Sequence, residues 1–343
     1  MTILGIESSC DDTAAAFVNK DYRVLGSAVE SQINLHKKFG GVIPEYASRA
    51  HLKSIFQVAE SAKTSAAQSD FNELQGIAIS SGPGLMGSLL IGTTFVKGMS
   101  LSLNVPVYAV DHVESHIFSV CLDQEALDLS QPTIAVVVSG GHTNLYFVEN
   151  NEWQLLGYTI DDACGEAFDK VGSLLGMEYP GGPAIDKLAQ DGDADKYKMP
   201  KVHIKEKPLC FSYSGIKTSI RYALQKSPLQ SLQDKKDFCA SFQKAAIEQL
   251  FDKIAAVTSK KPRTAQIVVA GGVAANSYLR KKLSTTFPQQ QVRFPLKKYC
   301  ADNGGMIAAC ALHKVLRGTA SDVSHENWGV YTRYDFTRQR FSI

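Results

Sequence analysis

No C-x-x-C pair occurs in the 343 residues, and the seven cysteines (Cys10, Cys121, Cys164, Cys210, Cys239, Cys300, Cys310) are an odd number. That argues against a disulfide framework or a zinc knuckle and fits a reducing cytosol. No run approaches the ~18 uninterrupted apolar residues of a membrane span. Neither a basic n-region nor an Arg-rich transit segment precedes the first apolar strand pattern, so the expected location is cytoplasmic, with no membrane attachment. G-x-x-x-x-G-K-[ST] is missing, which excludes a P-loop nucleotidase, and no G-x-G-x-x-G follows a strand, which disfavours dinucleotide binding. Acids are missing from one long stretch. Between Lys253 and Ala301 there is no Asp or Glu, but ten Lys or Arg, in a chain whose net charge is only +2. Such a run is either a solvated basic face or a surface that receives a polyanion.

What is present repeats itself. Residues 3–18 read as an apolar strand, a small polar turn (Ser8 to Asp12) and a second apolar strand, a β-hairpin pattern. Residues 134–149 follow the same plan around Ser139-Gly140-Gly141-His142-Thr143. Each half then carries a strand, a glycine turn and a helix. In the first these are 76–80, Ser81 to Gly84, and 87–103; in the second, 267–270, Gly271-Gly272, and 275–283. The pattern predicts an α/β protein made by duplication, with a ligand site in the cleft where the glycine turns converge. The polar segment 122–131 is expected to join the halves, 190–207 to be an excursion, and helix 304–316 to return onto the first half.

Ser139-Gly140-Gly141, Gly181-Gly182-Pro183 and Gly271-Gly272 suit close approach of backbone N–H groups to a phosphate. Each alone is equally explained by steric need at a strand-to-helix turn. His112 and His116, at i and i+4, can share one helix face and one metal, although spacing alone leaves that open. Asp302, in Cys300-Ala301-Asp302-Asn303-Gly304, fits as a remote third ligand at the start of a helix. A metalloprotease would carry its glutamate directly after the first histidine. Here Glu114 stands two residues on and points roughly away from both imidazoles, at ~100° per residue. Among the acids Glu7, Asp11, Asp12, Asp161, Asp162, Glu166 and Asp169, the candidate for proton transfer is Asp11, beside the first turn. Capping and surface solvation are the plain readings of the others.

Together these segments resemble the tRNA adenosine threonylcarbamoyltransferase family. The resemblance runs through Gly5-Ile6-Glu7-Ser8-Ser9-Cys10-Asp11, Gly41-Val42-Ile43-Pro44-Glu45, Gly82-Pro83-Gly84-Leu85, His112-x-x-x-His116 and Val138-Ser139-Gly140-Gly141-His142-Thr143. It continues in Gly165-Glu166-Ala167-Phe168-Asp169-Lys170, Tyr179-Pro180-Gly181-Gly182-Pro183, Phe211 to Thr218, Ala270 to Asn276 and Asp302-Asn303-Gly304. Asp12 stands where many members carry Glu, which shortens any reach made from that position. The resemblance implies a duplicated actin-like (ASKHA, ribonuclease-H-like) α/β fold, two-lobed with a central cleft. Residues 1–110, completed by 304–343, would form the first lobe, and 111–303 the second, with an insertion near 186–220.

The resemblance further implies that His112, His116 and Asp302 hold one divalent metal, Fe2+ in preference to Zn2+, with Mg2+ a possible companion of the nucleotide. Val137, Val138, Ser139, Gly140 and Gly141 would line the phosphate and threonylcarbamoyl group of threonylcarbamoyl-AMP. Asp169, Gly182, Asp186 and Asn276 would bind the nucleoside. Ser139, Gly140 and Gly141 would stabilise developing negative charge, and Asp11 would take or steer the amine proton. The implied partners are tRNA, a metal-free paralogue (TsaB-like) and a small P-loop ATPase (TsaE-like). A kinase or ATPase of the same superfamily, and a non-catalytic scaffold, are the rival readings.

Overall fold

The computed structural model describes residues 1–67, 71–202, 204–226, 228–324, 328–334 and 341–342. Part of the expected C-terminal return, 325–327, 335–340 and 343, lies outside these, as does residue 203 of the expected insertion.

Two compact units divide the chain: Met1–Leu127 with Pro295–Phe341, and Asp128–Phe294. In the first, β1 (Thr2–Glu7) is the centre of a five-stranded sheet. It pairs antiparallel with β2 (Asp12–Asn19) and parallel with β4 (Ile77–Gly82). Outside these lie β3 (Val24–Ser31), antiparallel to β2, and β5 (Val107–Asp111), parallel to β4. Strand alternation assigns the two faces. Leu4, Ile6, Ala15 and Phe17 point into an apolar cluster with Ile55, Val58 and Val96, supplied by α2 (Pro44–Ser65) and α3 (Met86–Leu103). Gly5 and Glu7 therefore point to the other face, which is packed by α10 (Gly304–Leu316). Helix and sheet meet there without side chains. A Cβ on Gly5 would stand 2.0 Å from Gly304 O, and one on Gly304 would stand 2.5 Å from Gly5 O. Residues just before α10 are thereby drawn to the end of β1. By length and composition α3 could cross a membrane, but it packs on β4 and α2 with Leu89 and Val96 fully buried.

The short α1 (Ile33–His36) follows β3, and α4 (His112–Phe118) follows β5 directly. α4 belongs to this first unit because it packs on α10, where Glu114 and Lys314 form a buried ion pair (3.0 Å). The division thus falls at 127/128, after the 110/111 expected from sequence, and at 294/295, before the expected 303/304.

The second unit has the same strand order. β6 (Thr133–Val138) is central, β7 (Thr143–Glu149) and β8 (Glu152–Tyr158) continue antiparallel on one side, and β9 (Gln266–Ala270) and β10 (Gln291–Arg293) parallel on the other. Apart from a two-residue strand (Phe341–Ser342) at the β8 edge of the second sheet, both sheets read third, second, first, fourth, fifth strand, so the duplication expected from the repeated hairpins is present in the topology. Its helices are α5 (Cys164–Leu174), α6 (Gly181–Ala189), α7 (Ser214–Lys226), α8 (Leu232–Lys260) and α9 (Ser277–Thr286). The helix expected at 275–283 is α9, which begins two residues later and runs to Thr286. Gly272–Ala275 form a 3-10 turn, and Asn276 caps α9 by accepting from Leu279 N (3.0 Å).

Candidate metal centre and nucleotide-binding turns

α4 starts where the Asp111 carboxylate accepts from Glu114 N (2.7 Å), which satisfies one of the first-turn N–H groups. One helical turn then carries His112 and His116 on the same side, their ring centres 4.9 Å apart. Asp302 joins them from the loop before α10. Asn303 makes that possible, because Asn303 and not Asp302 is the cap: its Oδ1 accepts from Met306 N (2.9 Å) and its Nδ2 donates to Ala301 O (2.8 Å). Asp302 Oδ1 lies 3.3 Å from His116 Nε2 and 3.9 Å from His112 Nε2. All three donor atoms fall within 4.8 Å of one another.

The donor set fits a divalent transition metal. Bonds of about 2.1 Å to nitrogen and oxygen separate neighbouring ligand atoms by roughly 3.0–3.5 Å; the Asp302–His116 separation of 3.3 Å matches this, and the Asp302–His112 separation of 3.9 Å is somewhat wider. Both ring nitrogens of His116 are buried without a hydrogen-bond partner, an expensive state that an ion at Nε2 would relieve in part. His112 is already oriented. Its Nδ1 lies 3.0 Å from Glu7 Oε2 and 3.1 Å from Ser9 Oγ. A carboxylate only accepts, so Nδ1 carries the proton and Nε2 is the nitrogen turned toward Asp302. Glu7 reaches His112 because, by strand alternation, it shares the α10 face of β1.

Charge points the same way. Burial would lower the His112 pKa, but the Glu7 and Asp302 carboxylates outweigh it and push the imidazole up to about 9. Burial raises the Asp11 carboxyl, against a hydrogen bond from Cys10, and Asp302 raises it further. Asp12 is pushed up to about 7 by burial, with Asp302 and Asp11 adding to it against a hydrogen bond from Ser31. Carboxyls crowded toward their neutral form are what a dication stabilises. Glu114, by contrast, faces Lys314 and not the imidazoles, as the helical geometry required.

Glu7→Gln tests the orienting bond. The amide fills the same space but is a weaker acceptor, and it can present N–H to Nδ1 instead. A loss of divalent-metal affinity of about 10–100-fold is expected, read by competition with a chelator. Unchanged affinity would make Glu7 a structural acid only.

In the second unit the turn after β6 is closed by Ser139 N donating to His142 O (2.8 Å) and His142 N to Ser139 Oγ (3.1 Å). Nothing lies within 4 Å of a Cβ built on Gly140 or Gly141, so packing does not explain these glycines. Gly182 and Gly272 are comparably open. Gly271 differs: at φ +94° its Cβ would stand 2.5 Å from Val138 O, a steric requirement. Val137 and Val138 are fully buried, backbone included, in the strand that leads into this turn.

Of the residues expected to meet a nucleoside, Gly182 and Asn276 lie at helix starts, and Asp169 and Asp186, from within α5 and α6, hydrogen-bond to helix starts. Asp169 Oδ1 accepts from Gly181 N (2.9 Å) and Gly182 N (3.4 Å), which ties α5 to the start of α6. Asp186 Oδ1 accepts from Ser277 Oγ (2.7 Å), tying α6 to α9, and Asn276 Nδ2 donates to Gln243 Oε1 (2.7 Å) on α8. The remaining acids are structural. Asp161 accepts from Ser212 Oγ, Tyr213 N (2.8 Å) and Ser214 Oγ (2.7 Å), while Asp162 pairs with Lys170 and Lys217, and Glu166 with Lys170. Burial opposes ionisation of Asp161, but these hydrogen bonds hold its carboxyl below the ordinary value.

The run without acids is not without them in space. Lys282 pairs with Glu248 (3.1 Å) and lies over Phe251, and Lys298 pairs with Asp123 (3.0 Å). Arg280 donates to Ala274 O (2.6 Å), and Lys253 to Pro208 O (3.0 Å). Five residues to which sequence reasoning gave no such role act around these sites. His51, wholly buried on α2, bonds Thr13 Oγ1 (2.7 Å) and Cys10 O (3.0 Å) and so anchors the loop that carries Asp11. Glu7 and Ser9 orient His112, and Tyr331 and Tyr334 hold Asp111. A charged residue closing an otherwise apolar strand was the available signal for Glu7; the others carried none.

Comparison with known proteins agrees with this architecture. Among solved structures, component A of the Acidaminococcus fermentans (R)-2-hydroxyglutaryl-CoA dehydratase shares the fold at TM-score 0.52 and 14% identity, over 92% of this chain and 99% of that one. Full-length HypF, in its phosphate- and nucleotide-bound form, does so at 0.57 and 15%, over 93% and 56%. Much nearer in sequence is the Clostridium perfringens tRNA N6-adenosine threonylcarbamoyltransferase, 44% identical over 326 residues, 94% of this chain and 95% of that protein. The enzyme of the same name from Thermosipho africanus is 43% identical over 329 residues, 95% and 98%. The TsaD family model, tRNA N6-adenosine threonylcarbamoyltransferase, matches residues 23–309. With the duplicated actin-like fold and this extent of matching, the chain belongs to the tRNA N6-adenosine threonylcarbamoyltransferase family.

Proposed function

We propose that this chain transfers the threonylcarbamoyl group from threonylcarbamoyl-AMP to the exocyclic amine of adenosine 37, in tRNAs that read codons beginning with adenine, and releases AMP. The observation that carries the reading is the donor set His112, His116 and Asp302, with His112 held in one tautomer by Glu7. These three residues hold one divalent metal; two imidazoles and one carboxylate with further positions open suit Fe2+ ahead of Zn2+. When bound, such an ion supplies Lewis acidity toward the carbamoyl carbonyl. An adenine amine is a weak nucleophile because its lone pair is delocalised into the ring, so the acceptor must be activated as a mixed anhydride.

The chain's own residues do the rest. Gly140 and Gly141 offer the phosphate and the growing negative charge backbone N–H groups that the open glycines leave approachable, Ser139 adds its hydroxyl, and Val137 and Val138 line the turn from the strand beneath it. Asp169, Gly182, Asp186 and Asn276 position the nucleoside, with Mg2+ accompanying the phosphates where a nucleotide is bound. A carboxylate has about four acceptor sites, so Asp169 and Asp186 can serve both their helix starts and a ribose. Asp11 takes the proton from the attacking amine. Lys260, Arg263 and Lys281, all exposed, are available to the tRNA backbone.

The metal-free paralogue (TsaB-like) would dock on α2 and α3, which pack together and expose Leu52, Phe56, Met86 and Leu90. The second partner would be the small P-loop ATPase (TsaE-like), a class to which this chain, lacking that motif, does not itself belong. Free thiols at all seven cysteines fit action in the reducing cytoplasm. The deciding experiment is single-turnover transfer of labelled threonylcarbamoyl from its adenylate to unmodified tRNA, with and without the two partners. Labelled tRNA and stoichiometric AMP are expected. ATP splitting without transfer under every combination would favour the kinase reading instead.

A further inference from the structure

β5 is an edge strand, and its outer side is covered by the chain that follows α10. Val107 N donates to Asp322 Oδ1 (3.0 Å), and Val107 O accepts from Val323 N (2.9 Å). Farther along, Trp328 O accepts from Lys97 Nζ (3.1 Å), and the same ammonium lies 4.7 Å from the Trp328 ring centre. Tyr331 N then donates to Ser81 O (3.0 Å). The backbones run so close that a Cβ on Gly82, at φ +143°, would stand 2.1 Å from Tyr331 O; only glycine fits there. Covering an edge strand is an ordinary use for such a segment.

Its last described residues do something more specific. Tyr331 Oη donates to Asp111 Oδ2, and Tyr334 Oη lies 2.7 Å from Asp111 Oδ1 and 2.8 Å from Oδ2. Asp111 is the cap of α4, bonded to Glu114 N through its side chain (2.7 Å) and to Ser115 Oγ through its carbonyl (2.6 Å). α4 has seven residues, too few to hold a direction by its own helical bonds. It nevertheless carries two of the three proposed metal ligands. What fixes its start is a carboxylate, and what fixes that carboxylate is a pair of phenols 220 and 223 residues away in sequence.

We propose that Tyr331 and Tyr334 are positioning residues for the metal centre: their hydroxyls hold Asp111, and through it α4, at the angle that brings both histidine Nε2 atoms onto Asp302. The inference rests on the reading of His112, His116 and Asp302 as that centre. Neither hydroxyl is among the proposed ligands; both act through the cap. The segment is thus coupled to metal retention and is more than an edge cover.

The test is Zn2+ affinity, and the rate of Zn2+ loss to a chelator, in the full chain. Wild type is compared with Tyr331→Phe, Tyr334→Phe, the double variant and Asp111→Asn. Phenylalanine keeps the ring and removes only the hydroxyl. The double variant is expected to bind Zn2+ about 10-fold more weakly and release it correspondingly faster, at the lower end of what losing a partner behind a ligand does. Each single variant shows a smaller loss in the same direction, and these decide the matter if the double variant does not fold. Asp111→Asn still caps α4 but offers one acceptor oxygen in place of two, and is expected to match the double variant. Ile55→Val, in the apolar cluster under α2, lowers stability and is expected to leave Zn2+ binding at the wild-type value. Wild-type affinity in both single variants and in the double variant overturns the proposal, as does an equal loss in Ile55→Val. A wild type that binds Zn2+ no better than His116→Ala removes the metal centre and the proposal with it, which is a different result from a wild type and double variant that bind equally well.

Discussion

His116→Ala is expected to bring the metal content of the purified protein to background and to slow single-turnover transfer by about three orders of magnitude. The side chain is wholly buried, and its Nε2 stands nearer to Asp302 than that of His112 does. Alanine leaves two donors where three converge, and two hold a divalent ion weakly. Carbonyl polarisation is worth several kcal/mol of transition-state stabilisation, and each ~1.4 kcal/mol is tenfold in rate, which sets the size of the effect. Stability separates this from simple misfolding. Both His116 nitrogens are buried without a hydrogen-bond partner from the protein, so the substitution removes a desolvation penalty that offsets part of the cavity it creates. The variant should therefore melt close to the metal-free wild type, and well below the metal-loaded one. Transfer at the wild-type rate with no metal present would remove the ion from the reaction.

Asp11→Asn is expected to slow transfer by about 100-fold or more, while threonylcarbamoyl-AMP binds as before. General-base contributions run from about 10²- to 10⁴-fold. Asparagine has the same shape but accepts no proton. The loop itself is held through backbone, by Asp11 O accepting from Gln32 N (3.0 Å) and Cys10 O meeting His51 Nε2 (3.0 Å), so the substitution leaves its path intact. Burial raises the Asp11 carboxyl, and the nearby Asp302 adds to that. The sign follows. A base works only when deprotonated, so the wild-type rate falls as pH drops through the raised pKa, and the asparagine variant lacks that acidic limb. Lost adenylate binding, in place of slowed transfer, would make Asp11 an electrostatic or structural residue.

Much of the architecture was legible along the chain because backbone geometry sets its periods locally. Strand alternation in Ile3 to Glu7 marks which side chains share a face, and repetition of the hairpin in 134–149 announces the duplication later found in the strand order. The spacing of His112 and His116 places them on one side of α4, and that of Glu114 turns it away, as observed. Helix 304–316 ends where the pattern placed it. The helix expected at 275–283 is present but begins at Ser277, because its start is a side-chain decision: Asn276 turns back to Leu279 N, and the preceding turn closes separately.

Packing decided the rest. Ten cations without an intervening acid look like a basic surface, but Glu248 and Asp123, distant in sequence, pair with two of them, and two others donate to backbone carbonyls. The sequence by itself determined the element types, the duplicated order and the shared face of the two histidines, since these follow from residue-to-residue geometry and apolar spacing. Only the tertiary structure decided that Glu7 holds His112, that His51 anchors the loop of Asp11, and that Tyr331 and Tyr334 close on Asp111. A buried polar group is satisfied by whatever the fold brings within about 3 Å, and that partner has no fixed distance along the chain.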